Sequence, residues 1–141
     1  MAKISRHQAL FPFLRYKDAT AAIEWLSEAF GFEIDMVVPG ETDGSIAHAQ
    51  MRHRGSIVML GSFQDDDLGL RAPTDLGGVN QGIYVVIDDA EAHYATAKAA
   101  GAEIVMELTR TDYGSHDYSA KDPEGNLWSF GTYHPADDDE G

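Results

Sequence analysis

The stretch AFGFEIDM at residues 29–36 returns seventy positions later as AAGAEIVM at residues 99–106. The same offset relates Asp18 to Asp88. A single register kept across such separated blocks predicts a structural unit that is used twice. Repeated units close a hydrophobic core by packing against their copy. A cavity between the two halves is therefore the first place to look for a ligand site.

The composition is that of one globular domain. The chain has 141 residues, of which 43% are hydrophobic, and this is enough for a real core. Its apolar runs are far shorter than the roughly 20 residues of a spanning helix, so no membrane insertion is predicted. The polar start at Met1–Gln8 predicts no signal peptide. The absence of cysteine excludes disulfides and thiolate metal sites, and favours a cytoplasmic protein.

The chain is strongly acidic, with a formal net charge of −14. Such a charge repels phosphate backbones, so the sequence predicts no nucleic-acid partner. Part of the charge lies in Asp65–Asp67 and Asp137–Glu140, which we interpret as solvated. The first of these runs lacks the spaced ligands and the glycine of a calcium-binding loop.

The first half predicts strand, helix and three strands. Asp18 is positioned as a helix N-cap and Gly31 as a C-cap, with apolar residues at helical spacing between them. The predicted strands are 10–16, 32–38, 45–51 and 56–60, and the predicted helix is 19–30.

The second half repeats this order. Asp88 is the predicted N-cap, and the turn at Asp122–Gly125 has proline and glycine at positions that favour a tight reversal. The predicted strands are 83–87, 103–108, 118–121 and 126–130, and the predicted helix is 89–100. Residues 1–141 therefore form a single predicted domain with βαβββ modules at 9–62 and 80–134, joined by a linker at 63–79.

Two segments carry a resemblance to a known family. Residues 11–18, FPFLRYKD, are followed by Ala22, Trp25 and the triplet FGF at 30–32, and the second half closes with DPEGNLWSF at 122–130. This pattern resembles the glyoxalase/bleomycin-resistance/dioxygenase superfamily, also called vicinal oxygen chelate, over about residues 9–134. The resemblance implies an α+β fold in which two βαβββ modules form a cupped sheet, in a homodimer that in some members exchanges modules.

Enzymes of this superfamily hold a divalent metal at four inward-facing positions. Carried over by position, these fall on Phe11, Met59, Ser129 and either Gly82 or Gln81. A hard divalent cation prefers carboxylate or imidazole ligands, and this set offers at most an amide and a hydroxyl. The resemblance therefore implies a scaffold without the usual metal site, and we expect no metal and no cofactor.

Strand alternation predicts which side chains face the cup. The expected lining is aromatic and aliphatic with a few polar groups, which is typical of small-molecule sites. His48 and His116 fall near the same strands. The candidate ligand-binding residues are Phe11, Phe13, Arg15, His48, Met59, Tyr84, His116 and Ser129. An alternative is that these residues simply fill a core between the modules.

The sequence leaves three functions open. The favoured hypothesis is a small-molecule binding protein of the bleomycin-resistance type that needs no metal, with no catalytic residue assigned. The alternative is a metal-dependent glyoxalase-like lyase, isomerase or dioxygenase whose divergent site uses His48, His116 and a carboxylate. The third is a regulatory or interaction module in which the cup is only core.

Overall fold

The computed structural model describes residues 8–135. The first seven residues and the acidic run at 137–140 lie outside this range, and His7 with them. The elements follow in the order β1 (Phe13–Tyr16), α1 (Ala19–Phe30), β2 (Glu33–Pro39), β3 (Ile46–His53), β4 (Ser56–Ser62), α2 (Pro73–Leu76), β5 (Gly82–Val86), α3 (Ala90–Ala99), β6 (Glu103–Arg110), β7 (His116–Lys121) and β8 (Leu127–Gly131). The predicted α+β class with two βαβββ modules is confirmed. None of the helices within residues 8–135 is long and apolar enough to cross a bilayer.

Each module forms one four-stranded mixed sheet. The strand order is β1-β4-β3-β2 in the first sheet and β5-β8-β7-β6 in the second. The first and last strands of each module pair in parallel, Phe13 with Met59 and Tyr84 with Ser129, and the other pairs are antiparallel. The two sheets thus share one topology, as the repeat predicted.

Several element boundaries differ from the prediction. Strand β1 begins at Phe13 rather than at Leu10, and β6 and β7 are longer than predicted, at Glu103–Arg110 and His116–Lys121. The linker contains the short helix α2, which begins at Pro73 and ends against Gly77 in the left-handed conformation. Proline at the first turn and glycine after the last are favourable helix boundaries, a signal that the Gly- and Asp-rich composition concealed.

The predicted cap of the second helix was wrong by one residue. The side chain of Asp89, not of Asp88, accepts a hydrogen bond from the amide of Ala92, as Asp18 does from Ala21. The repeat therefore has an offset of 71 at the helix caps and returns to 70 at Gly31 and Gly101, because the stretch from N-cap to glycine is one residue shorter in the second module. Asp88 is instead ion-paired with Arg54 in the β3–β4 turn of the other module.

Aromatic side chains from both modules build one core. Phe30, at the end of α1, lies 4.6 Å between ring centroids from Phe130 and 5.8 Å from Trp128 in the second sheet. All three side chains are at most 1% exposed. Because each large ring contributes roughly 2 to 3 kcal/mol when buried, neither module would keep its core without the other.

A buried carboxylate joins the modules at the turn after β7. Asp122 is 4% exposed. Its Oδ2 accepts hydrogen bonds from the Tyr16 hydroxyl at 2.6 Å and from Trp128 Nε1 at 3.1 Å. Its Oδ1 accepts from the amides of Glu124 and Asn126. Burial, and then the charge of Asp122, raise the pKa of the Tyr16 hydroxyl well above its usual value, so this group remains a donor.

The same turn also holds the entrance to α1. The carboxylate of Glu124 accepts from the backbone amides of Lys17 at 2.7 Å and of Asp18 at 2.9 Å. These amides precede the first helical turn, where a negative charge is favourable. The closing DPEGN segment of the second module therefore acts as a clamp: it holds the chain of the first module in place at the entrance to α1.

Replacing the buried carboxylate should destabilise the whole domain. We expect Asp122→Ala to lower the free energy of unfolding by about 3 kcal/mol, since Tyr16 and Trp128 would keep buried donors without an acceptor. Urea denaturation followed by tryptophan fluorescence measures this change. The control is Asp67→Ala in the exposed linker, which should change stability by less than about 0.5 kcal/mol. Equal effects of the two substitutions would contradict the role of Asp122 as a clamp.

His93 is held neutral between the modules. Its Nε2 donates to the Phe30 carbonyl at 2.9 Å, and its Nδ1 accepts from the Tyr118 hydroxyl at 2.6 Å. The ring also lies 4.4 Å from that of Phe130. Burial lowers the pKa of His93 below its ordinary value, although the bond to Phe30 opposes this.

Stability should therefore fall in mild acid. The unfolded chain takes up a proton at His93 near pH ~6.5, while the folded chain, with its lowered pKa, does so only at lower pH. The free energy of unfolding should decrease as pH falls below that value. We expect His93→Gln, which has no titrating ring, to show a smaller decrease between pH 7.5 and 5.5 in chemical denaturation. Parallel pH dependences of the two proteins would contradict this assignment.

Candidate functional site: two cup faces

One face of each sheet packs in the core and the other remains open. Directly opposed residues on neighbouring strands share a face. In the first sheet Leu14 opposes Leu60, which opposes Ala49, and this row lies in or against the core. The next row, formed by Phe13, Met59, Gln50 and Met36, lies on the other side. We call that side the first cup face.

The first cup face carries a cavity of about 280 Å³. Phe13, Arg15, His48 and Met59 line it, so the structure brings together four of the eight residues predicted from sequence. His48 Nε2 lies 2.9 Å from Gln50 Oε1. The Gln50 amide in turn donates to Asp35 at 3.2 Å. The side of this cavity is therefore polar and its floor is apolar.

Arg15 extends from the first cup face toward the linker. Its guanidinium lies 3.4 Å from Asp66. A larger cavity, of about 490 Å³, begins here and is bounded by both modules and the linker. Its lining includes Phe13, Arg15, Arg71, Leu76, Gly82 and Leu127. The linker, predicted only as a connection, is thus one wall of the space between the modules.

The second cup face is built by the same register in the other sheet. Tyr84 opposes Ser129, which opposes Ser119, which opposes Met106. Tyr84 and Ser129 are therefore neighbours. The Ser119 and Ser129 hydroxyls form a hydrogen bond of 2.7 Å. This face is more polar than the first and ends in a group of tyrosines.

Two predicted residues are not brought to these faces. Phe11 precedes β1 and is 39% exposed outside the cavities just described. His116 is followed in β7 by Asp117 and by the buried Tyr118. Because side chains alternate along a strand, His116 lies on the same side as Tyr118 and opposite the cup. Their contacts with a ligand stay predictions.

Asp117 takes the position that had been expected for His116. It opposes Gly131 in β8, on the same face as Tyr84. A β-carbon at position 131 would collide with both the Asp117 carboxylate and the Tyr84 hydroxyl, so Gly131 provides the space in which they converge. Alternation from Ser129 through Ser119 could have identified Asp117, but the predicted strand β7 began too late to include it.

The four family metal positions hold residues that are poor ligands for a hard cation. The offset of 71 in β5 makes Gly82, not Gln81, the counterpart of Phe11. With Met59 and Ser129 the set provides one thioether and one hydroxyl, which does not fit a hard divalent cation. Within residues 8–135, no three His, Cys, Asp or Glu side chains are grouped so that they could hold a metal.

Solved structures include proteins with this fold. TioX from Micromonospora sp. ML1 is 29% identical, with a TM-score of 0.70, over 88% of this chain and 94% of its own. The PhnB protein from Bacillus cereus is 18% identical, with a TM-score of 0.63, over 87% and 98%. The fosfomycin resistance protein FosX from Listeria monocytogenes, solved with Mn(II) and sulfate, is 15% identical, with a TM-score of 0.66, over 94% of each chain. The last two likenesses show the fold alone.

Among curated proteins, none matches the chain. The model of one protein family does match, and it covers residues 7–130. This range includes both βαβββ modules except the last residue of β8. The chain belongs to the Glyoxalase/Bleomycin resistance protein/Dioxygenase superfamily.

Proposed function

We propose that this protein binds a small molecule against its two cup faces, without a metal, and acts by sequestering it rather than by catalysis. The observation that carries this proposal is the row of apolar side chains left open on each face. Phe13 is 48% exposed and Met36 44% on the first face, and Tyr84 is 39% and Met106 63% on the second. An apolar surface of this extent usually marks a binding site.

The chemistry of the two faces supports a binding role. Thioethers and aromatic rings adapt to a flat or irregular ligand, and they provide stacking and dispersion contacts without a reactive group. His48, Gln50 and Ser129 add a few hydrogen-bonding groups that can orient the ligand. The acidic, cysteine-free composition is consistent with a cytoplasmic setting and with a partner other than nucleic acid.

A homodimer is the second part of the proposal. Strand β2 is an edge strand, and its apolar residues are exposed on both sides of the sheet: Ile34 50%, Met36 44%, Val37 42% and Val38 43%. An unpaired apolar edge is a ready site for self-association. A second copy that covers this edge would also close the first cup face over a ligand.

The enzymatic alternative has weaker support. It needs His48 and His116 to act together with a carboxylate. His48 lies in the first sheet, and His116 lies in the second with its side chain away from the cup face. This placement does not bring the two imidazoles together with a carboxylate in one site.

A charge placed on the apolar floor should abolish binding of a neutral aromatic probe. We expect saturable fluorescence enhancement of Nile red by the purified protein and at least a tenfold weaker affinity for Met59→Glu, because the carboxylate would be desolvated by the probe. The matched control is Leu68→Glu in the linker, where the native side chain is already 59% exposed. Treatment with a chelator should leave the affinity unchanged.

Absence of saturable Nile red binding would contradict the proposal, as would equal affinities of Met59→Glu and Leu68→Glu. Loss of binding on chelation, restored by one equivalent of a divalent metal, would favour the enzymatic alternative.

The proposed dimer depends on the apolar edge of β2. We expect sedimentation equilibrium of the purified protein to give twice the mass of one chain, and Val37→Lys to shift the equilibrium toward monomer by at least tenfold in the dissociation constant. Leu68→Glu should remain dimeric. A monomeric wild-type protein at tens of micromolar would contradict this part of the proposal.

A further inference from the structure

We propose that the ligand carries a positively charged amine and that this group binds on the second cup face, between the Asp117 carboxylate and the rings of Tyr84, Tyr113 and Tyr133. This inference rests on the proposed binding function and adds the chemical class of the ligand. We call these four residues the tyrosine–aspartate site.

The first support is that two polar side-chain groups converge on this face. The Asp117 carboxylate and the Tyr84 hydroxyl both reach the space above Gly131, which is available because that residue has no side chain. Gly131 is not among the residues with a left-handed backbone, so glycine is needed there for space rather than for conformation. Two polar groups therefore meet on the cup face, in the volume that a side chain at position 131 would occupy.

The second support is the negative charge of Asp117. Asp117 is half-buried and receives a hydrogen bond from the Ser115 hydroxyl. Among residues 8–135, no lysine, arginine or histidine forms an ion pair with it. A carboxylate can accept about four hydrogen bonds, and a partly desolvated charge is unfavourable until a counter-charge approaches. A ligand ammonium group would supply both the donors and the charge.

The charge of Asp117 also affects the neighbouring Tyr84 hydroxyl. Partial burial raises the pKa of Tyr84, and the negative charge of Asp117 raises it further. Tyr84 therefore remains neutral, and its hydroxyl donates to the Tyr133 carbonyl at 2.7 Å.

The third support is the arrangement of the tyrosines. The rings of Tyr113 and Tyr133 are nearly perpendicular, with centroids 5.6 Å apart, and they are 68% and 46% exposed. Ser115, which is 3% exposed, accepts from the Tyr133 amide at 3.0 Å while it donates to Asp117. One buried hydroxyl thus ties the carboxylate to the aromatic group. Aromatic faces beside a carboxylate attract cations, most strongly when water is excluded.

The first cup face carries a histidine, not a carboxylate, at the related position. If the register between Ala49 and Leu60 is continued by one residue, His48 opposes Gly61 as Asp117 opposes Gly131. Arg15, which opposes Gly61 from the other side, places a guanidinium there that is ion-paired with Asp66. A cationic group should therefore bind preferentially to the second face. The net charge of −14 favours the approach of such a group to the protein.

Three probes of similar ring size test the inference: benzylammonium, benzyl alcohol and benzenesulfonate. We expect amide chemical shifts at residues 115–119 and 129–133 to titrate with the cation at least tenfold more tightly than with either other probe. Asp117→Asn retains a side-chain acceptor for Ser115 and should remove that preference. Asp67→Asn loses the same charge in the exposed linker and should keep it. Tyr113→Leu should weaken only the cation, by about threefold.

Equal affinities of the cation and benzyl alcohol would overturn the inference while leaving the proposed binding function intact. An unchanged preference in Asp117→Asn, with a native amide spectrum, would also overturn it. Failure of all three probes together with failure of Nile red would instead count against the binding function itself.

Discussion

The buried carboxylate of Asp122 is the constraint on which this architecture depends. It receives hydrogen bonds from the strand that opens the first module, through Tyr16, and from the last strand of the second, through Trp128. A charge removed from water is tolerated only where donors surround it. Since those donors come from both modules, the domain satisfies Asp122 only when the modules are joined. Glu124 reinforces the junction at the entrance to α1.

That junction determines where the two cup faces lie. The helices and the aromatic cluster around Phe30 and Phe130 occupy one side of the sheets, so the open sides carry the remaining side chains of each strand. The backbones of the two sheets are equivalent, but their chemistry differs. The first face presents Met59 and Met36 beside Gln50 and His48, and the second presents hydroxyls and Asp117. If the proposed binding function holds, the two faces would contact chemically different parts of one ligand.

Much of the fold could be predicted because it follows from local chemistry. Asp18, Gly31 and the proline–glycine turn at 122–125 act on neighbouring backbone groups, and each acts as predicted. The prediction failed where the outcome depended on distant contacts. Asp88 and Asp89 have equal capping chemistry, and the choice between them follows from the length of α3 and from the ion pair of Asp88 with Arg54.

The same contrast between local patterns and distant contacts applies to the candidate site. Alternation along β1 and β4 was sufficient to identify Phe13, Arg15 and Met59, because side-chain direction in a strand has a period of two. Tyr84 and Ser129 were expected on the cup face for the same reason, whereas their direct pairing is a feature of the sheet register. The convergence of Asp117 with Tyr84 over Gly131 did not, because it requires the register of three strands and the start of β7. Local patterns in the sequence dictated the elements and their faces. Pairing of strands that are distant in sequence, together with packing between the modules, determined which polar groups meet, since a hydrogen bond forms only at contact distance.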